Sequence, residues 1–146
     1  MTRTWSAEHS GPWSELEKVE FRPAGFSRGV FGKSFLKESL GLTGMELSLN
    51  KLPPGAQSPF LHRHTEHEEL YLVVGGEGQV QVDGHVIDLR EGSTVRVAPD
   101  GVRALRNTGA GPLYYVCIQA KAGSLAGATI SDGRRVEGPI VWPAQS

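Results

Sequence analysis

Two histidines and a glutamate lie close together in the chain and are the residues best suited to chemistry. The stretch LHRHTEHEELYLVVGGEG, residues 61–78, contains His62 and His64, separated by one residue, and then Glu69. Alternate side chains of a β-strand point to the same face, so this spacing would direct both imidazoles to one point. A turn at residues 65–68 would let Glu69 reach that point from a neighbouring strand. Two imidazoles and one carboxylate form the facial triad that binds a divalent metal and leaves coordination positions open for substrate, water or dioxygen.

A solvated polar edge is the competing interpretation of the same stretch. In that case Glu66, Glu68 and Glu69 would pair with Arg63 and its neighbours, and no metal would be bound. His67 is a further candidate ligand, but its expected position in a loop favours contact with solvent. The residues alone therefore leave both a metal site and a polar edge open.

The elements that position these residues are predicted to be short strands. Nineteen glycines and nine prolines divide the chain, and alternating apolar and polar residues predict strands at 45–50, 69–74, 79–82, 85–89, 94–98, 103–107 and 113–119. Asp83-Gly84 is the signal of a tight hairpin turn. Residues 33–42 fit either a strand or a helical turn that stops at Gly41, and residues 139–142 are a candidate edge strand. This pattern predicts an all-β fold, a sandwich or barrel of antiparallel strands.

Length and composition indicate one domain and limit the classes of partner. A chain of 146 residues can bury a core as a single domain. Fifteen basic and sixteen acidic residues give a formal net charge of −1, so no overall field attracts nucleic acid or an anionic membrane. The opening residues lack the apolar core of a secretory signal, and no apolar run could span a bilayer. We therefore expect a cytoplasmic protein, with Cys117, the single cysteine, as a small buried side chain.

The chain contains the pattern His-x-His-x4-Glu-x6-Gly, formed by His62, His64, Glu69 and Gly76. This pattern resembles the first motif of the cupin family. Similarity to a small single-domain cupin extends over about residues 45–120. The resemblance implies a jelly roll, the double-stranded β-helix barrel, with a metal inside the barrel and assembly as a homodimer. On this basis residues 1–146 form a single cupin domain, with the barrel core at about 45–120 and arms at 1–44 and 121–146.

The second cupin motif is only partly present. Asn107 follows Gly92 by fifteen positions, as the last residue of the family's second motif follows the first. In that motif a further metal-binding histidine stands at the position that Arg103 occupies here, which is called the slot below. Alignment on the nearby proline and glycine instead would place Ala104 in that slot. Arginine stays protonated and cannot donate a lone pair to a metal. Two interpretations follow: a metal with three protein ligands and Arg103 binding an anionic substrate group, or a metal-free pocket in which Arg103 pairs with Glu69.

Tyr71 and Gln81 are further candidates for contact with a ligand. Tyr71 shares the facing of Glu69 by strand alternation, and Gln81 could line the barrel from the next strand. Core packing for Tyr71 and exposure to solvent for Gln81 are the alternatives. The expected substrate contacts are therefore Arg103, Tyr71 and Gln81.

The residues and the resemblance together predict a small cupin that binds a divalent metal ion (Fe, Mn, Ni or Zn) and a small anionic molecule. Oxygenase, isomerase or lyase activity would use the open positions on the metal. The alternative is a non-catalytic ligand-binding or structural cupin with a metal-free pocket, because fold does not imply function. The sequence does not decide between an enzyme and a binding protein. The partners expected are a small-molecule ligand and a second copy of the chain, rather than nucleic acid or a membrane.

Overall fold

A computed structural model describes residues 3–144 of the chain. These residues form a 3-10 helix, one short α-helix and ten β-strands. In chain order the elements are the 3-10 helix Trp13–Lys18, β1 Glu20–Phe21, β2 Val30–Phe31, β3 Lys33–Phe35, α1 Lys37–Leu40, β4 Glu46–Leu52, β5 His67–Gly75, β6 Gly78–Val82, β7 His85–Leu89, β8 Thr94–Val97, β9 Arg103–Asn107 and β10 Leu113–Lys121. Within this part of the chain, no helix has the length and apolarity needed to cross a membrane.

Two antiparallel sheets form the barrel. One has five strands in the order β3-β4-β10-β5-β8, and the other has three in the order β7-β6-β9, while β1 and β2 form a separate pair. Strands of both sheets contribute to one apolar core, whose buried members are Tyr71, Val73, Val80, Leu89, Val97, Leu105, Leu113 and Cys117. Burial of these side chains between the sheets supplies the main driving force for folding. The predicted all-β class is therefore confirmed.

The seven strands predicted from alternation are all present, with ends displaced by at most two residues. Residues 33–42, for which the pattern fits both a strand and a helical turn, contain both: β3 is followed by α1. Gly41 ends α1 with a left-handed φ of 67°, which glycine adopts without steric cost.

Two local expectations are corrected by the structure. His62 and His64 do not lie in a strand, because His62 forms only an isolated β-bridge to Arg103. Residues 139–142 are not an edge strand: they have no strand assignment, and Ile140 and Trp142 are exposed to solvent. An extended segment becomes a strand only when a neighbouring edge accepts its hydrogen bonds, and no such bonds join this segment to a sheet within residues 3–144.

The N-terminal arm closes one side of the barrel. Leu16 of the 3-10 helix is buried, and Trp13 packs edge-on against Tyr114 of β10, with ring centroids 5.9 Å apart. From there the chain enters β1, where Phe21 packs against Phe35 of β3 at a centroid distance of 4.6 Å. The arm is therefore a wall of the barrel interior.

Candidate metal centre

Backbone hydrogen bonds hold the two histidines against the start of β9 and the loop before it. His62 N donates to Arg103 O at 3.2 Å, and Arg103 N donates to His62 O at 3.0 Å. Two residues on, His64 N donates to Pro99 O at 2.8 Å. These bonds keep the segment extended without a full strand, so both imidazoles reach the same region, with ring centroids 5.4 Å apart.

Glu69 enters the same region from β5. It is only 4% exposed, and its Oε1 is hydrogen-bonded to His64 Nε2 and lies 3.6 Å from His62 Nε2. One potential ligand atom from each of the three side chains lies within 4.8 Å of the other two. The structure therefore brings together the three residues that the sequence predicts as metal ligands.

The surroundings of Glu69 keep it ionised. Burial alone would raise the pKa of this carboxyl, but His62, Tyr71, the Arg103 charge and His64 together hold its pKa well below the usual range. The other oxygen, Oε2, accepts a hydrogen bond from the Cys117 thiol at 3.3 Å. Burial and the Glu69 charge raise the pKa of Cys117, so Cys117 is a thiol donor rather than a thiolate. A deprotonated carboxylate is the form that binds a metal.

Arg103, at the histidine position of the second motif, points into the barrel. Glu69 lies between its side chain and the cavity. The Arg103 side chain is fully buried, and Nη1 donates to the carbonyl oxygens of Pro99 at 3.2 Å and Gly101 at 2.6 Å. Nη2 lies 3.6 Å from Glu69 Oε1. Ala104, the other candidate for the slot, faces an outer depression instead. The Arg103 charge therefore acts on Glu69 from behind, and Arg103 is absent from the cavity wall.

A cavity of about 310 Å³ opens onto the three predicted ligands. Tyr71 lines it, as the sequence predicts for a ligand contact. Gln81 does not: it lies on the outer face of β6, where it lines a different depression of about 400 Å³ that contains none of the three. The structure thus brings Tyr71 to the candidate site and leaves Gln81 outside it, because β6 directs Val80 into the core and the neighbouring side chains outward.

His67 and Glu68 have other partners. β5 begins at His67 rather than at Glu69, and His67 Nδ1 is hydrogen-bonded to the side-chain oxygen of Gln119 at 2.9 Å. Glu68 Oε2 accepts a hydrogen bond from Arg96 Nε at 2.8 Å. Neither side chain belongs to the ligand cluster found within the described residues.

Sequence reasoning missed two cations on the cavity wall, Lys33 and Lys51, of which Lys51 pairs with Glu17. Lys33 of β3 lines the cavity together with aromatic residues of the arm and of β3. Alternation in FGKSFL, residues 31–36, places Lys33 and Phe35 on one face of a strand. This alternation indicates a strand with Lys33 facing inward, but the same residues also fit a helical turn, so the sequence did not assign Lys33 to the cavity.

The donor set fits a divalent transition metal. Two imidazole nitrogens and one carboxylate oxygen suit Fe, Mn, Ni or Zn, and all three side chains open onto a cavity of ligand size. Arg103 adds no donor, because a guanidinium has no lone pair to give. The protein would therefore supply three ligands and leave the remaining positions to small molecules.

Comparison with known proteins adds a family match and several similar structures. The cupin domain family matches residues 48–119. A cupin protein from Bacteroides fragilis is 34% identical, with a TM-score of 0.73 over 93% of this chain and 100% of that chain. A predicted oxalate decarboxylase from Thermotoga maritima is 23% identical, with a TM-score of 0.59 over 75% of this chain and 96% of that chain, which shows the fold alone. An uncharacterized protein of Methanocaldococcus jannaschii is 28% identical over 75 residues, 51% of this chain and 60% of its own length.

Proposed function

Because the chain belongs to the cupin family, we propose that it binds one divalent metal ion inside the barrel and a small anionic molecule beside that ion. His62, His64 and Glu69 are the proposed metal ligands. The observation that carries the proposal is their convergence: ligand atoms from two backbone segments lie within 4.8 Å of one another and face one cavity. A solvated polar edge would not bury Glu69 between two imidazoles.

The surrounding residues have supporting roles in this proposal. Cys117 donates a hydrogen bond to Oε2 of Glu69, and the Arg103 charge lies 3.6 Å from Oε1. In this proposal the thiol orients the carboxylate and the guanidinium keeps it ionised, as outer-shell partners of metal ligands do. Tyr71 shares the cavity wall with the three ligands. A bound metal would supply Lewis-acid character toward an oxygen of the small molecule. With three protein ligands, the anion can reach the ion directly.

Pyruvate binding tests the proposal, because a small 2-oxo acid offers two oxygens to a metal with open positions. We expect calorimetric titration to show at least about tenfold tighter binding to Ni²⁺-loaded protein than to chelator-treated protein, which corresponds to about 1.4 kcal/mol. His62→Ala/His64→Ala should remove this metal dependence. His85→Ala is the matched control, because His85 is exposed at the start of β7. Equal pyruvate affinity with and without metal would contradict the proposal.

Turnover is a separate measurement. Loss of oxygen or of the organic acid in the presence of Fe²⁺, Mn²⁺, Ni²⁺ or Zn²⁺ would identify an enzyme. Tight binding across a panel of carboxylic and hydroxy acids, with no such loss, would identify a binding protein.

A metal-free pocket is the second candidate function, and one observation favours it. Glu69 Oε1 already has His64 as a hydrogen-bond partner and the Arg103 guanidinium 3.6 Å away, so the carboxylate is satisfied by protein groups. In that arrangement the barrel would bind its ligand without metal. Both candidates share the cavity and differ in what neutralises the Glu69 charge.

Arg103→His tests whether Arg103 occupies the position of a further metal ligand. In the metal-binding cupin, the substitution replaces a cation beside Glu69 with an imidazole in the position where the family has a ligand, so metal affinity should rise by at least about tenfold. Competition against a chromophoric chelator measures this affinity, with circular dichroism to verify folding. Arg106→His is the control, because Arg106 lies on the outer face of β9 and donates to Gln79. If folded Arg103→His bound metal as weakly as native protein or more weakly, Arg103 would not occupy the ligand position of the second motif.

Homodimer formation, expected from the resemblance, stays a prediction. The C-terminal arm exposes several large apolar side chains, namely Leu125, Ile130, Val136, Ile140, Val141 and Trp142. Contact with a second copy would cover them, and sedimentation equilibrium measures the resulting mass.

A further inference from the structure

Lys33 projects into the barrel. It lies on β3 in register with Asn50 of β4, which is buried. Residues paired across an antiparallel ladder project to the same face of the sheet, so Lys33 faces the interior together with Asn50. Phe35, two positions further along β3, faces the same way, and Lys33 Nζ lies 5.3 Å from the centroid of its ring. Lys33 and Phe35 are therefore neighbours on the cavity wall.

The ammonium group of Lys33 has no anionic partner among the residues that the structure describes. Its side chain makes no ion pair within 4.0 Å and no hydrogen bond among residues 3–144. Glu69 is the single carboxylate among the described residues that line the cavity, and it already contacts two histidines and Arg103. Burial lowers the pKa of Lys33 from its ordinary value, because removing this charge from water is unfavourable. An anion in the cavity would offset that cost.

Aromatic rings cover the wall beside Lys33. The phenylalanines that line the cavity are Phe21, Phe31, Phe35 and Phe60. Phe21 of the arm packs edge-on against Phe35, and the Phe60 ring lies 6.3 Å from the ring of His62. The apolar surface thus extends from the arm to the candidate metal ligands. A cavity of about 310 Å³ with apolar walls and a few polar groups has the composition of a small-molecule site.

We propose that this cavity binds a small organic acid with an aromatic body, whose carboxylate pairs with Lys33 and whose ring packs against the phenylalanines. The inference rests on the proposed function, since it names the class of anion that the barrel takes. Lys33 replaces Arg103 as the cation that contacts the ligand, because Lys33 lines the cavity and Arg103 lies buried behind Glu69. The recognising groups are protein side chains, so metal-free protein can be tested as well.

Three probes separate the charged and apolar parts of this recognition. Phenylacetate carries both a carboxylate and a ring, phenylacetamide keeps the ring without the charge, and acetate keeps the charge without the ring. In native protein we expect phenylacetate to bind at least about tenfold more tightly than either of the others, because a charge-assisted hydrogen bond and aromatic packing both contribute. Isothermal titration calorimetry measures the three affinities. Phenylacetamide binding as tightly as phenylacetate would overturn the proposal.

Lys33→Met tests the carboxylate partner. The methionine keeps an apolar stem of similar length but removes the charge, so phenylacetate affinity should fall by about tenfold or more while phenylacetamide affinity stays unchanged. Because Lys33 makes no ion pair within residues 3–144, the variant should remain folded, as a thermal melt verifies. Lys37→Met is the matched control: it removes the same charge from an exposed position on α1, outside the cavity, and should change neither affinity.

Phe21→Leu tests the apolar partner. Loss of the ring should weaken phenylacetate and phenylacetamide by a similar factor, about threefold or more, and leave acetate unchanged. Equal phenylacetate affinities in native protein and Lys33→Met would overturn the inference, and so would an unchanged affinity of Phe21→Leu for both aromatic probes.

Each titration is run on Ni²⁺-loaded protein and on chelator-treated protein, so that the two proposals fail separately. Absence of metal binding, with phenylacetate affinity still dependent on Lys33, would contradict the proposed metal function and support this inference. Metal binding with phenylacetate affinity independent of Lys33 would support the metal function and contradict this inference.

Discussion

Chelation is expected to lower the melting temperature of the native protein by about 5–10 °C. A ligand that binds only the folded state stabilises it by about 2.7 kcal/mol when its free concentration is one hundred times its dissociation constant. For a chain of this length, 1 kcal/mol corresponds to about 2–4 °C. A thermal melt of Zn²⁺-equilibrated protein, repeated after addition of EDTA, measures the shift.

Paired substitutions identify the source of that shift. His62→Ala/His64→Ala removes two of the three proposed ligands, so its melting temperature should not respond to EDTA. His85→Ala should respond as native protein does, because His85 is an exposed residue of β7 outside the ligand cluster. If EDTA shifted the double variant as much as the native protein, the stabilising metal would lie elsewhere.

Gly76→Ala is expected to destabilise the fold by about 3–4 kcal/mol. Gly76 has a φ of 87°, a region that costs an L-residue about 1–2 kcal/mol. A Cβ at this position would also collide with the carbonyl oxygen of Pro112 and approach Leu113 Cα to 2.9 Å. Backbone atoms cannot rotate away as a side chain can, so the strands would have to separate. The midpoint of urea unfolding, at unchanged m-value, measures the loss.

Gly92→Ala separates strain from collision. Gly92 has nearly the same φ, 85°, but no atom lies within 4 Å of a Cβ built there. Its replacement should cost about 1 kcal/mol, the conformational cost alone. Equal losses in the two variants would show that close approach of Pro112 is not what requires glycine at position 76.

The ligand cluster was predictable because its signal is local. The spacing of His62 and His64 is short enough for backbone alternation alone to align them, even though the structure provides a single β-bridge where the sequence suggests a strand. Glu69 follows within the same motif, and β5 is a strand whose alternation of buried and exposed residues is visible in the sequence. The strands 85–89 and 103–107 were predicted with their observed ends for the same reason.

The sequence left two directions open for Arg103, toward a substrate or toward Glu69, and the loop before β9 decides between them. The guanidinium is drawn away from the cavity by the carbonyl oxygens of Pro99 and Gly101, and the sequence contains no signal for where those carbonyls point. For Gln81 the sequence also left open which face of β6 points into the barrel. An alternating Gln-Val run permits either face inward, and burial of the valines in the core decides the matter.

Lys33 was missed because a short segment supported two patterns. A strand and a helical turn follow each other within residues 33–42, so neither period extends far enough to dominate. The aromatic wall beside Lys33 depends on the N-terminal arm folding back onto β3. Such a long-range contact, seen in the pair of Phe21 and Phe35, leaves no local trace in the sequence.

Metal content tests the central claim most directly. Protein produced without a histidine tag in metal-replete medium, dialysed against metal-free buffer and analysed by mass spectrometry for Fe, Mn, Ni and Zn, should contain close to one divalent ion per chain. His62→Ala/His64→Ala prepared in parallel should contain almost none, and His85→Ala should match native protein. Native protein that remains metal-free under these conditions, or a double variant that retains a full equivalent, would contradict a metal site formed by His62, His64 and Glu69.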